Sequence, residues 1–373
     1  MSEKKSIDRI ASLDLLRLVA ALAVVLFHYL FRGAAADGYL EAGYPAAAPY
    51  AIYGYLGVNL FFLISGFVIA WSAEGRSWQA FALARFARLY PGFLVCMAAS
   101  WAVLAVAGHP AFPVTGGQLA ANAFIFSTAL GRRFVDGVYW SIVLEIIFYG
   151  WVTLAILAGV FTRFKLPLIA GWLFVCAANE LWIGSHAARL LFVTEFGPFF
   201  ASGMLVHHIF SKEKSSEALM MLATAFVLSC CTMLVGRDWM LGHYGVAVPI
   251  AGLIAANVII YALLIGAVAL HDRLPASGAT LLIGGLTYPL YLLHQNAGYV
   301  AINGLRPSLG GVLAVLATIA LMLLASWAVW RFVERPARRW ILKAFGPPLD
   351  RIASRLKQLK RRQAGPAVHR PAS

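Results

Sequence analysis

The sequence predicts an all-α polytopic membrane protein, with about ten transmembrane helices and both termini cytoplasmic. Three observations predict it. Of 373 residues, 61% are hydrophobic and only 12% charged, whereas soluble domains run near a quarter charged. The mean hydropathy is +0.78. The apolar residues also collect into long runs, with Lys and Arg concentrated in alternate turns.

The runs cover residues 12–31, 52–73, 85–107, 138–161, 166–184, 192–210, 217–235, 246–269, 281–301 and 311–333. Most of them reach the roughly 20 residues that a helix needs to cross a bilayer. The opening MSEKKSIDR is polar and basic, and the first run is a span rather than a cleavable leader. An even count returns both termini to one side. That side collects 23 of the 30 Lys and Arg, the other side 6, and Arg17 lies inside the first run. The positive-inside rule makes the rich side cytoplasmic, in a multi-pass membrane protein. Residues 1–11 are then a cytoplasmic N-terminus, 12–340 the transmembrane domain and 341–373 a basic cytoplasmic tail.

Composition excludes several classes. The net charge of +14 is distributed as a membrane protein distributes it, so nucleic acid is not the expected partner. Cys96, Cys176, Cys230 and Cys231 all sit in apolar runs and suggest neither a disulfide framework nor a metal site. The tail holds RIASRLKQLKRR, which reads either as a solvated positive-inside tail or as a basic helix lying on anionic lipid.

Polar residues inside the runs carry the functional signal. The first run contains Asp14, Arg17 and His28. Ionisable groups at membrane depth are costly and mark functional sites by default. Arg17 and His28 are eleven positions apart, about 16 Å along a helix axis. One helix thus places a cation low and an imidazole high. The second run holds Asn59 and a Ser65-Gly66 pair that permits close helix approach. The third opens FALARFARLYPGF, with Arg85 and Arg88 on one helical face. That pair reads as membrane anchoring or as a phosphate clamp, because guanidinium forks match phosphate oxygens. The fourth opens YWSIVLEIIFY, placing Glu145 about two turns below the outer surface, at the expected depth of His28. A carboxylate there would hold the imidazole's tautomer and stabilise its charged form. The ninth run carries His294, also in the outer half.

Five segments together resemble the membrane-bound acyltransferase 3 family, the O-acetyltransferases of bacterial surface polysaccharides. They are Arg17 and His28 in an Arg-x10-His pattern preceded by Leu-Asp; GVNLFFLISGF; Arg85 and Arg88 followed by Leu-Tyr-Pro; YWSIVLEIIFY; and YPLYLLHQ. They stand in the family's order. The run VERPARR after the tenth span adds to the likeness.

The resemblance implies about ten core helices, a cytoplasmic acyl-CoA donor (acetyl-CoA first among the candidates), a sugar hydroxyl acceptor outside and no metal. It makes His28 the catalytic histidine. The acceptor is then a glycan or a lipid-linked saccharide. Arg85 and Arg88 would hold the donor's phosphates, with Arg17 either a further donor contact or the partner of Asp14. Glu145 would support His28. Tyr139, Trp140 and Ser141 would contact the sugar, unless they form an interfacial aromatic belt. Asp14, Asn59, Ser65 and His294 are supporting residues. Asn59 stands where the family often has an acidic residue. Members with a fused carbohydrate-modifying domain extend further at the C-terminus, and none is expected here. The chief rival is a proton-coupled secondary transporter of a sugar or acidic metabolite, which buried His, Glu and Arg would also suit; the absence of an evident inverted repeat speaks against it.

Overall fold

The computed structural model describes residues 10–35, 38–211 and 215–363, with side chains up to residue 349. Lys4, Lys5, Arg9, Lys212, Lys214 and the last ten residues of the predicted tail lie outside the described residues.

Among the described residues every regular element is helical. Eight helices are long and apolar enough to cross a membrane. They comprise α1 (Ala11–Leu30), α2 (Ala48–Ala51) running on into α3 (Gly57–Ala73), α4 (Trp78–Ala107), α6 (Tyr139–Leu157), α7 (Lys165–Ala178), α10 (Ser216–Tyr244), α11 (Ile250–Ala269) and α14 (Gly311–Val329). A short helix, α5 (Gly116–Asn122), lies in the long loop before α6. The protein is thus an all-α, multi-pass membrane protein, as the composition predicts.

The two remaining predicted runs become shorter helices, and the departures have physical causes. The run 192–210 forms α9 (Gly197–Ser211) only from Gly197 onward. Before it stand α8 (His186–Leu191) and a turn. Two indole N–H groups hold this segment against the neighbouring helices: Trp151 Nε1 donates to Leu191 O and Trp172 Nε1 to Phe192 O, both at 2.7 Å. Val193 takes φ +53°, a strained value for a β-branched residue. Irregular backbone within a membrane bundle is tolerated where it is buried in protein or lines a cavity, and this segment does both.

The run 281–301 is broken. It forms α12 (Gly278–Leu293) and α13 (Asn296–Leu309), with His294 and Gln295 between them. Asn296 N donates to Asp136 Oδ2 at 2.9 Å and Asn296 Nδ2 to Val135 O at 3.0 Å. Tyr29 OH donates to the carbonyl of His294 at 2.7 Å. The orphan groups of the break are therefore satisfied by α1 and by the loop before α6.

At the other end of the chain, α14 passes through a π turn at Trp330–Glu334 into α15 (Arg335–Gln363). The predicted boundary at residue 340 falls inside this helix. Trp330 packs over Gly285 and Glu334 over Gly92, each where a Cβ would collide. Helices α3 and α9 make the tightest crossing at Gly66 and Gly203. A Cβ on Gly66 would lie 2.0 Å from Phe200 O, and one on Gly203 would lie 2.0 Å from Leu63 O. Small residues permit this approach, which membrane helices use in place of a hydrophobic driving force.

Candidate active site

Helix α1 runs past two internal spaces. Its C-terminal half carries His28, and Arg32 stands two residues past its end; both line a cavity of about 580 Å³. Its N-terminal half carries Arg17, which lines a small pocket of about 60 Å³. Val58 and Tyr291 line both spaces and form the wall between them.

His28 is buried at the foot of the larger cavity. Its Nδ1 lies 2.8 Å from Val24 O and 3.0 Å from His294 Nε2. Its Nε2 lies 3.4 Å from a guanidinium nitrogen of Arg32. The two imidazole rings meet edge to face, with centroids 4.9 Å apart. Asn59 and Trp140 line the same cavity, as do His186, Arg189, Glu195, Trp239 and Tyr244. Arg189 grips Glu180 with Nε at 3.1 Å from both oxygens and NH2 at 2.6 Å from Oε2, which fixes α8 onto the end of α7. Trp140 packs on Phe196, centroids 5.4 Å apart.

The small pocket is lined by Arg17, Ser65, Arg88, Ser141, Glu145, Tyr288 and Tyr291, among others. Glu145 is its only carboxylate. Oε1 of Glu145 accepts from Ser65 Oγ at 3.0 Å and, by a very short bond, from Tyr149 OH. The Arg85 guanidinium lies over the Tyr149 ring and that of Phe81, at 5.8 and 5.7 Å. Arg17 pairs with Asp14 at 3.8 Å, one helical turn away. Arg17 and Arg88, from two helices, thus share this pocket with Glu145.

The expected pairing of His28 with Glu145 is not formed. Glu145 faces the arginine pocket, and His28 meets His294. Depth counted from the start of α6 puts Glu145 level with His28 only if that start lies at the surface. Instead the chain enters α6 from inside the bundle. Asp136 is fully buried and hydrogen-bonded at the α12–α13 break, so Tyr139 begins the helix already at depth and Glu145 lies lower still.

Two sugar-contact assignments change as well. Tyr139 is fully buried against Phe93, with centroids 5.1 Å apart, and lines neither space. Ser141 Oγ lies 2.7 Å from Tyr291 OH, at the wall between the two spaces, rather than at a mouth. Trp140 does face the larger cavity. Ser65 has more than a packing role, because its hydroxyl binds Glu145.

Four polar groups escaped the sequence reading. Arg32 is four residues past His28, the spacing that sets two side chains on one face of a continuing helix; the helix ends at Leu30, yet Arg32 still lies 3.4 Å from His28. Glu195 and Thr194 interrupt the start of the run 192–210, a cue that this stretch is not plain membrane helix. Asp136 gave no signal, because its partner is 160 residues away. Among the described residues no group of three or more His, Cys, Asp or Glu could hold a metal ion.

Fold and site define a membrane-embedded protein in which a shared wall separates a histidine-bearing cavity from an arginine-bearing pocket. The comparisons give its family. The family described as "Acyltransferase domain" matches residues 10–331, and the chain belongs to that acyltransferase 3 family. It is 26% identical to nodulation protein 10 of Rhizobium leguminosarum bv. viciae over 87% of this chain and 92% of that protein. It is 36% identical to the acyltransferase MdmB of Streptomyces mycarofaciens over 106 residues, 28% of this chain. That match spans only 27% of the MdmB chain. No solved structure matches.

Proposed function

We propose that the protein moves an acyl group from acyl-CoA, bound at the Arg17–Arg88 end, to a hydroxyl of a saccharide acceptor held in the His28 cavity. The observation that supports this most is the wall that the two spaces share. One helix carries Arg17 to the first and His28 to the second, about 16 Å apart by helix rise, which matches the reach of a coenzyme arm. Under the positive-inside rule the arginine end faces the cytoplasm. The protein then sits in a bacterial inner membrane, with both termini inside and the larger cavity facing out.

Arg88 and Arg17 bind the donor's phosphates, with Arg85 behind them. Asp14 is the ion-pair partner of Arg17, and Glu145 shares the pocket with Arg17 and Arg88. The small pocket has room for about two waters, so admission of the arm requires Arg88 and Tyr291 to swing aside. The thioester then arrives beside His28. His28 Nε2 takes the proton of the acceptor hydroxyl, and the hydroxyl oxygen attacks the thioester carbonyl. Arg32 is the nearest cation to the oxyanion that forms, a preorganised stabiliser. Collapse breaks the C–S bond, and the imidazolium returns its proton to the departing sulfur. The acceptor cavity, with Trp140, Trp239, Asn59 and Glu195, offers rings for an apolar sugar face and polar groups for its hydroxyls. Direct transfer suits this layout, because one nitrogen of His28 opens on a space large enough for a sugar ring.

Acetyl-CoA labelled in the acetyl group, offered to purified protein with cell-envelope glycan or lipid-linked saccharide, tests the proposal. Label should pass to the saccharide and cease to do so in His28→Ala. Translocation of unmodified saccharide with no transfer would instead establish the transporter reading.

A further inference from the structure

We propose that His294 is the positioning residue of the reactive imidazole, a neutral acceptor in the place where hydrolytic triads carry a carboxylate. This rests on the reading of His28 as the base.

The tautomers follow from the hydrogen bonds. Carbonyl oxygens only accept. His294 Nδ1 lies 2.9 Å from Tyr291 O and 3.2 Å from Leu290 O, so that nitrogen carries its proton and Nε2 is a bare lone pair. The lone pair lies 3.0 Å from His28 Nδ1. His28 Nδ1 is also 2.8 Å from Val24 O, so it too carries hydrogen, shared between a carbonyl and the His294 lone pair. His28 Nε2 is left as the basic nitrogen, on the side of Arg32 and the large cavity.

When the acceptor's proton binds Nε2, positive charge spreads to the Nδ1–H group. His294 Nε2 is already aimed at it and need not reorganise. The Nδ1 proton stays on His28, and the Nε2 proton goes on to the CoA sulfur. His294 is fixed from several sides. Its ring is held by two carbonyls, and its own carbonyl accepts from Tyr29 OH at 2.7 Å. It sits in the break between α12 and α13, anchored by Asp136. An imidazole in this role also spares the membrane interior a buried anion, which is costly unless paired.

Two measurements test the proposal. In 15N-histidine-labelled protein in nanodiscs, scalar coupling across the hydrogen bond should connect His28 Nδ1 with His294 Nε2. Finding His28 protonated on Nε2 alone would overturn the assignment. In acetyl-CoA turnover with a panel of simple pyranosides, His294→Leu should lower kcat roughly 100-fold with an unchanged KM for acetyl-CoA. His294→Gln, whose side-chain oxygen can accept the same N–H, should recover most of that loss. Placed on His28→Ala, His294→Leu should cost nothing further, because it acts through His28. A further loss on that background, or equal defects in Leu and Gln, would mark a merely structural role. Inactive His28→Ala beside fully active His294→Leu defeats this inference alone. Active His28→Ala defeats the proposed function itself.

Discussion

Asp136 Oδ2 accepts a 2.9 Å hydrogen bond from the backbone N–H of Asn296, so the loop before α6 caps the first turn of α13. The same carboxylate accepts from Val138 N at 3.2 Å through Oδ1. One side chain therefore sets both the entry to α6 and the far side of the break that holds His294.

Burial pushes the Asp136 carboxyl up to about 6, although the two N–H groups and nearby Arg32 pull it down. The unfolded value is about 3.9. A raised carboxyl binds its proton more tightly in the folded chain, so this group's contribution to stability is fullest below about pH 4 and falls as pH rises to about 6. Across that window wild type should lose roughly 2 kcal/mol relative to Asp136→Asn. Thermal unfolding in detergent, followed for both proteins at several pH values, measures the difference. Parallel curves would exclude the titration.

Gly66→Ala should destabilise the fold by about 2 kcal/mol or more, because the new methyl would overlap the carbonyl of Phe200 and force α3 and α9 apart. Gly150→Ala, where a Cβ meets nothing within 4 Å, should be close to neutral. Comparing the melting temperatures of the two variants decides whether the crossing is as tight as drawn.

Donor and acceptor contacts should separate kinetically. Arg88→Ala removes a charge-assisted phosphate contact worth roughly 1.5–3 kcal/mol, so KM for acyl-CoA should rise about 10- to 100-fold, with little change for the saccharide. Glu195→Gln should do the reverse, since Glu195 lines only the larger cavity. Steady-state kinetics with each substrate varied in turn would show the pattern, and equal effects on both substrates would refute the division of the two spaces.

Glu145→Ala should cost about 1–3 kcal/mol, because it leaves the hydroxyls of Ser65 and Tyr149 without their shared acceptor. Glu145→Gln, which keeps an acceptor oxygen, should cost less. Neither should alter the pH dependence set by His28. A variant that shifted that profile would return Glu145 to the base and contradict the observed separation.

Much of this was legible in the chain before it folded. The apolar runs, their order and the family motifs are local patterns, and the structure keeps all ten runs as helices or broken helices. His28, Arg17 and Arg88, singled out by their positions within those runs, line two neighbouring spaces. Failures came where depth was inferred from sequence distance. Glu145 and Tyr139 were misplaced because α6 begins inside the bundle. Nothing local revealed that His294 would stop the helix and meet His28.

What the sequence determined by itself is the solvent: a chain so apolar, with cations concentrated in alternate turns, can satisfy its backbone only as helices packed within a bilayer. The tertiary structure alone decided which polar groups share each space. That choice depends on close crossings such as Gly66 over Gly203 and on bonds such as Asp136 to Asn296, between residues more than a hundred positions apart. Within the apolar interior a hydrogen-bonding group must take whatever partner the packing brings, and no pattern along the chain encodes that partner's identity.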